Sequence, residues 1–177
     1  MSATKRILMV VSGPAIASTT GWPVGFWASE LVHPLHAFTE AGHEVTIASP
    51  RGGRVEIDAM SDPRHESGYS AHDTLTRRYL EDEDFVARLQ DTVAVDGLDA
   101  ADFDAIVVAG GQAPMFTFEH EEALQRLFLD FHAMGRITAA LCHGTVLLLH
   151  LEREGRPFVE GRRMTGFANS EEDAAAA

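Results

Sequence analysis

Cys142 is the only cysteine in the chain, and it lies in the stretch Ala139–Leu149, AALCHGTVLLL. The apolar run breaks there into His143-Gly144 and then resumes. A thiol that only fills space needs no such neighbours. A strand that turns sharply into a helix lifts the residue at the bend above the sheet, as in the nucleophile elbow of hydrolases. Gly144 removes a side chain where that bend is tight. A helix starting there would aim its positive end at the sulfur and favour a thiolate. A thiol of pKa near 8.5 is only about 3% ionised at pH 7, whereas one lowered to ~5.5 is about 97% ionised. The sequence therefore predicts an ionised nucleophile at Cys142. The backbone N–H of His143 is a candidate oxyanion donor, with a second from Gly111 in a facing loop. The His143 ring is a weaker candidate, because side chains of adjacent residues usually diverge.

A carboxyl group is the second chemical element. Glu30 stands in GFWASELVHP, at the start of a helical stretch. Two roles are open to it. As a first-turn acid it stabilises the helix by ~0.3–1 kcal/mol. Held instead against Phe26 and Trp27, it has a raised pKa and exchanges a proton with substrate beside Cys142. Trp22, Phe26 and Trp27 would also keep the pocket small, which disfavours peptides. The nine histidines are scattered and none gives Cys142-His143 a metal-ligand spacing, so no metal is expected.

These groups must be brought together by alternating strands and helices. Arg6–Val11 is a continuous apolar run ending in Ser-Gly-Pro, the mark of a strand covered on both faces. Ser29 is placed to cap a helix reaching Ala41, with Gly42 closing it. Glu44–Ala48 is a second strand. Positions 54–76, rich in Asp, Ser, Pro and His, are expected to form a long loop. Glu81–Asp84 open a helix with acids suited to its positive end. Asp104–Ala109 is a third strand running into Gly110-Gly111, and Glu119–Met134 an amphipathic helix burying Leu124, Leu127, Phe128 and Phe131. Ile137–Leu141 is a fourth strand, followed by a helix over His143–Leu151. Such alternation predicts a flavodoxin-like three-layer α/β sandwich: a mostly parallel sheet, helices on both faces, and sites beyond the strands' carboxyl ends. Gly13, Gly110-Gly111 and Cys142 all fall there.

The 177 residues fit one domain, and a formal charge of −13 argues against nucleic acid or an anionic membrane as partner. A small-molecule substrate is left. A single cysteine forms no internal disulfide and suits a reducing cytoplasm. Met1–Ala17 mimics an export signal, but its apolar core, Ile7–Val11, is shorter than the usual ~7–15 residues. Ile137–Leu151 is too short and interrupted to span a bilayer.

GFWASELVHPLHAFTEAGHEVTIASPRGG, IDAMSDP, FDAIVVAGG, AALCHGTVLLL and MTGFANSEED occur in the order seen in the ThiJ/PfpI superfamily, the class I glutamine-amidotransferase-like group. The chain most resembles its short glyoxalase III-like subgroup. That resemblance implies Glu30 as the acid, Cys142 as nucleophile, His143 as its partner and Glu171 as the third, acidic member of the triad, with Glu172 as fallback. It implies glutathione-independent conversion of methylglyoxal to lactate, with no cofactor. An isocyanide hydratase or amidase-like hydrolase, and a holdase chaperone or redox stress sensor, are the competing readings. Where the subgroup usually has Gly-Gly-His-Gly, this chain has Gly110-Gly111-Gln112-Ala113; Gln112 is polar but cannot titrate, which opens the pocket to a different substrate. Relatives normally continue past EED with a further strand and helix. The resemblance thus implies a single domain over 1–177 without that closure, where the missing segment is either cut away, supplied elsewhere or replaced by a partner; an edge left uncovered would favour a homodimer.

Overall fold

The computed structural model describes residues 3–166 and 168–171. Five parallel strands form the central sheet: β1 (Arg6–Val10), β2 (Glu44–Ser49), β3 (Val93–Ala94), β4 (Ala105–Val108) and β5 (Ile137–Ala140), in the order β3-β2-β1-β4-β5. Ile7 lies opposite Val45 on one side and Ala105 on the other. The chain moves outward from β1 to β3, then crosses back to place β4 against β1. This reversal opens a crevice at the carboxyl ends of β1 and β4, the usual ligand site of such sheets.

The alternation of side chains along β1 divides the core. Ile7, Met9 and Val11 pack with Leu31, Val32 and Leu35 of α1 (Ala28–Glu40), Leu80 of α2 (Thr74–Leu80), and Phe85 and Leu89 of α3 (Glu83–Gln90). Leu8 and Val10 face the other way, onto Leu124, Leu127, Phe128 and Phe131 of α4 (Glu122–Ala133). Both faces of β1 are thus covered, which is why its sequence is uniformly apolar. The three-layer expectation holds.

Three local expectations are corrected. Ser29 does not cap α1: the helix begins at Ala28, and the Ala28 N–H is met at 3.0 Å by Ser61 Oγ from a distant loop. The expected loop over 54–76 already turns into α2 at Thr74, where Asp73 accepts the Thr76 N–H at 2.9 Å. Finally, the elbow is followed by a 3₁₀ helix, Cys142–His150, rather than an α-helix. Gly144 N–H bonds Leu141 O at 2.9 Å, the tighter i to i+3 pattern. Its peptide dipoles align less well, so the helix-dipole support expected for a thiolate is weakened. Among the described residues no helix is long and apolar enough to cross a membrane.

Candidate active site

Cys142 follows β5 with φ of +51°, a left-handed conformation uncommon for any residue but glycine. That backbone twist turns the His143 ring back toward the sulfur, so Cys142 Sγ and His143 Nδ1 lie 3.5 Å apart. The divergence expected of adjacent side chains does not occur here. The backbone N–H groups of His143 and Gly111 both donate to Sγ. The two predicted oxyanion donors therefore converge on one point.

Space for this convergence comes from missing side chains. A Cβ on Gly144 would lie 2.7 Å from Ala109 O, and one on Gly111, whose φ is +100°, would lie 2.4 Å from Trp27 N. Trp27 precedes α1, donates its N–H to Gly110 O at 3.1 Å, and stacks edge-on against Tyr69. It thus locks the β1–α1 loop to the loop after β4. The Gln112 side chain is exposed, while its N–H points inward.

Glu30 projects from the first turn of α1 onto this junction. Its carboxylate accepts the Gly110 N–H at 2.7 Å and is hydrogen-bonded to the Cys142 thiol. Burial raises its pKa above the usual 4.5, against the lowering effects of the Gly110 N–H, the Cys142 thiol and His143. Glu30 is at once a first-turn acid of α1 and a half-buried carboxyl held at the site, so the two roles open from the sequence are not exclusive.

The thiol departs from expectation. Burial pushes Cys142 up to about 11, helped by the charge and hydrogen bond of Glu30, and the N–H groups of His143 and Gly111 only partly oppose this. The predicted thiolate is corrected on that ground. The Cys142 thiol therefore keeps its proton at neutral pH, beside a carboxyl whose own pKa is raised.

Asp58, which the sequence did not single out, lies beside this junction, where its charge acts on Glu30. It is only 4% exposed, yet it carries a carboxylate. Its Oδ1 accepts the Gly25 N–H at 2.9 Å and its Oδ2 the Gln112 N–H at 2.7 Å. Burial raises its pKa, and the two N–H bonds and His143 lower it. It lies within IDAMSDP, but nothing in that stretch marks it apart from the other acid, Asp62.

Glu171 is exposed, and its Oε2 accepts the Ala168 N–H of its own turn at 2.8 Å. Glu172, its fallback, lies outside the described residues. Beside Glu30 opens a cleft of about 550 Å³, walled by Pro34, His33, His72, Asp73 and Leu141. His33 Nε2 lies 3.0 Å from both Asp73 carboxylate oxygens. A separate depression of about 470 Å³, between Pro14–Ile16 and Glu56–Ala59, touches none of the predicted site residues. Among the described residues no group of three His, Cys, Asp or Glu side chains is arranged to hold a metal ion.

Comparison with known proteins identifies the family. The DJ-1/PfpI family profile matches residues 23–177. The glutathione-independent glyoxalase hsp3101 of Schizosaccharomyces pombe is 31% identical over 97% of this chain and 71% of its own length. Glyoxalase 3 of Candida albicans is 24% identical over 96% of this chain and 71% of its own. Among solved structures, the 24 kDa Rapid Encystment Protein of Francisella tularensis superposes with a TM-score of 0.87 at 26% identity, over 97% of this chain and 74% of that one. With its sheet order, its elbow and a family match over most of its length, the chain belongs to the DJ-1/PfpI family.

Proposed function

We propose that the chain is a glutathione-independent glyoxalase that converts methylglyoxal to lactate, with Cys142 as nucleophile. The observation that carries this proposal is the hydrogen-bonded pairing of the Glu30 carboxyl with the Cys142 thiol, beside a cleft that Glu30 lines. The named activities of the S. pombe and C. albicans relatives support it.

The raised thiol pKa sets the order of events. Sulfur attacks the aldehyde carbon as Glu30 takes the thiol proton, so no free thiolate need accumulate. The N–H groups of Gly111 and His143 receive the charge on the aldehyde oxygen. Glu30 then hands its proton to that oxygen, giving a neutral hemithioacetal. As a carboxylate again, it removes the proton from C1 and delivers it to C2 through an enediol, while the C1 hydroxyl proton passes to the C2 oxygen. The product is a lactoyl thioester on Cys142. Water, activated by His143, cleaves it to lactate and restores the thiol. Glu171 is the candidate acid for orienting His143, and Trp27, Gln112 and Gly144 shape the pocket. The cytoplasm as location and a homodimer as assembly belong to the same proposal. Ile137, 69% exposed on β5, supplies apolar surface at the sheet edge for such a contact.

Lactate formation from methylglyoxal without glutathione tests this directly. It is expected for the wild type and lost in Cys142→Ala and in Glu30→Gln. Absence of turnover in the wild type, with full protection of a client protein from aggregation by Cys142→Ala, would replace the enzyme with a holdase. The deglycase of Thermococcus kodakarensis, 30% identical over 71% of this chain and 59% of its own length, favours a second reading. Release of lactate from methylglyoxal-modified protein faster than from free methylglyoxal would select it.

A further inference from the structure

We propose that Asp58 is a positioning residue that fixes Glu30 against the Cys142–Gly111 side of the site by clamping the two loops that carry them. Its kinetic test rests on the glyoxalase proposal, while its chemical test does not.

Three segments meet at this carboxylate. Gly25 lies three residues before α1 and donates to Oδ1; Gln112 follows Gly111 and donates to Oδ2. The same loops are joined by Ala113 N–H to Gly25 O at 2.9 Å and by Trp27 N–H to Gly110 O at 3.1 Å. The Asp58 backbone completes the clamp: its N–H donates to Phe26 O at 2.8 Å, and its carbonyl accepts from Ser61 Oγ at 2.7 Å. Ser61 Oγ in turn accepts the Ala28 N–H, the first of the helix bearing Glu30. One buried acid and one buried hydroxyl thus connect the start of α1 to the loop whose Gly111 N–H touches sulfur.

The residue type is dictated by the donors. Both oxygens face N–H groups, so both must accept. Asparagine, of equal size, would offer one oxygen and turn an NH₂ against the second N–H. A purely space-filling role would tolerate that exchange. The Asp58 charge also acts on Glu30, making its ionised form less favourable.

The test compares wild type and Asp58→Asn as full-length folded chains. It reads kcat and KM for methylglyoxal, together with the pH midpoint of Cys142 alkylation by iodoacetamide. We expect kcat to fall at least tenfold with KM changed less than threefold, and the alkylation midpoint to move by half a pH unit or more. An unchanged midpoint overturns the inference, as does a kcat within threefold of wild type or a KM that rises in step with the loss. If Asp58→Asn does not fold, Ser61→Ala decides: it must lower kcat at least threefold at near-constant KM and move the midpoint, and otherwise the clamp is refuted. If the wild type makes no lactate, the midpoint alone decides, and the glyoxalase proposal fails separately.

Discussion

The two ends of the same strands treat carboxylates in opposite ways. At the amino ends, Asp104 accepts the Arg6 N–H at 3.0 Å and pairs with Lys5 Nζ at 3.1 Å and Arg136 at 3.5 Å. The Arg6 N–H and the Lys5 ammonium hold its pKa below the usual range. At the carboxyl ends, Glu30 and Asp58 accept backbone N–H bonds, and no lysine or arginine among the described residues pairs with them. Burial wins there, and both are raised. Backbone N–H groups orient a carboxylate without supplying the full charge that would pin it ionised. One end is a set of struts; the other can exchange protons.

The largest effects should come from removing the pair itself. Cys142→Ala is expected to abolish lactate formation, and Glu30→Gln to reduce it by about a thousandfold, the scale of a lost acid–base group. A Glu30→Gln enzyme within tenfold of wild type would erase the contrast between the two ends. Next comes Gly111→Ala, which sets a Cβ 2.4 Å from Trp27 N at a φ of +100°. It should lower stability by about 3 kcal/mol in urea unfolding, the scale of strain plus steric conflict.

Smaller effects distinguish the ends by sign. Glu30 is raised on folding, so the folded state binds more protons, and its contribution to stability falls as pH rises from 4.5 through its folded pKa. Glu30→Gln should therefore unfold at a higher urea midpoint than wild type at pH 7, while losing activity. The acid limb of wild-type kcat/KM should lie above 4.5, because Glu30 must start as the carboxylate. Asp104 is lowered, so its stabilisation is present above 3.8 and lost as pH falls through its folded pKa. Asp104→Asn should show a slightly lower urea midpoint at pH 7, a loss that shrinks as pH falls through the folded pKa, and unchanged turnover.

What the sequence disclosed follows the same division. The strands were legible because burial on both faces of β1 and β4 leaves apolar runs, and the elbow because Cys142 interrupts one. Glu30 was legible as a candidate through its aromatic neighbours. Asp58 was not, because its role depends on two N–H donors, Gly25 and Gln112, lying 33 and 54 positions away. The α2 helix escaped notice because its seven residues, TLTRRYL, give too short a period inside a polar stretch. β3 is only two residues long. The thiol pKa is not legible in the sequence, because a local helix start suggests a thiolate while the 3₁₀ geometry and the burial that raises the thiol emerge only on folding.

The pairing of Glu30 with Cys142 is tested most directly by the pH profile of Cys142 alkylation in wild type and Glu30→Gln, followed by mass spectrometry. The wild-type midpoint should lie near 11, and it should fall in Glu30→Gln, where the neighbouring negative charge is gone. A thiol already fully reactive at pH 7 in the wild type, or a midpoint that ignores the substitution, would contradict the Glu30-coupled protonated thiol on which the mechanism is built.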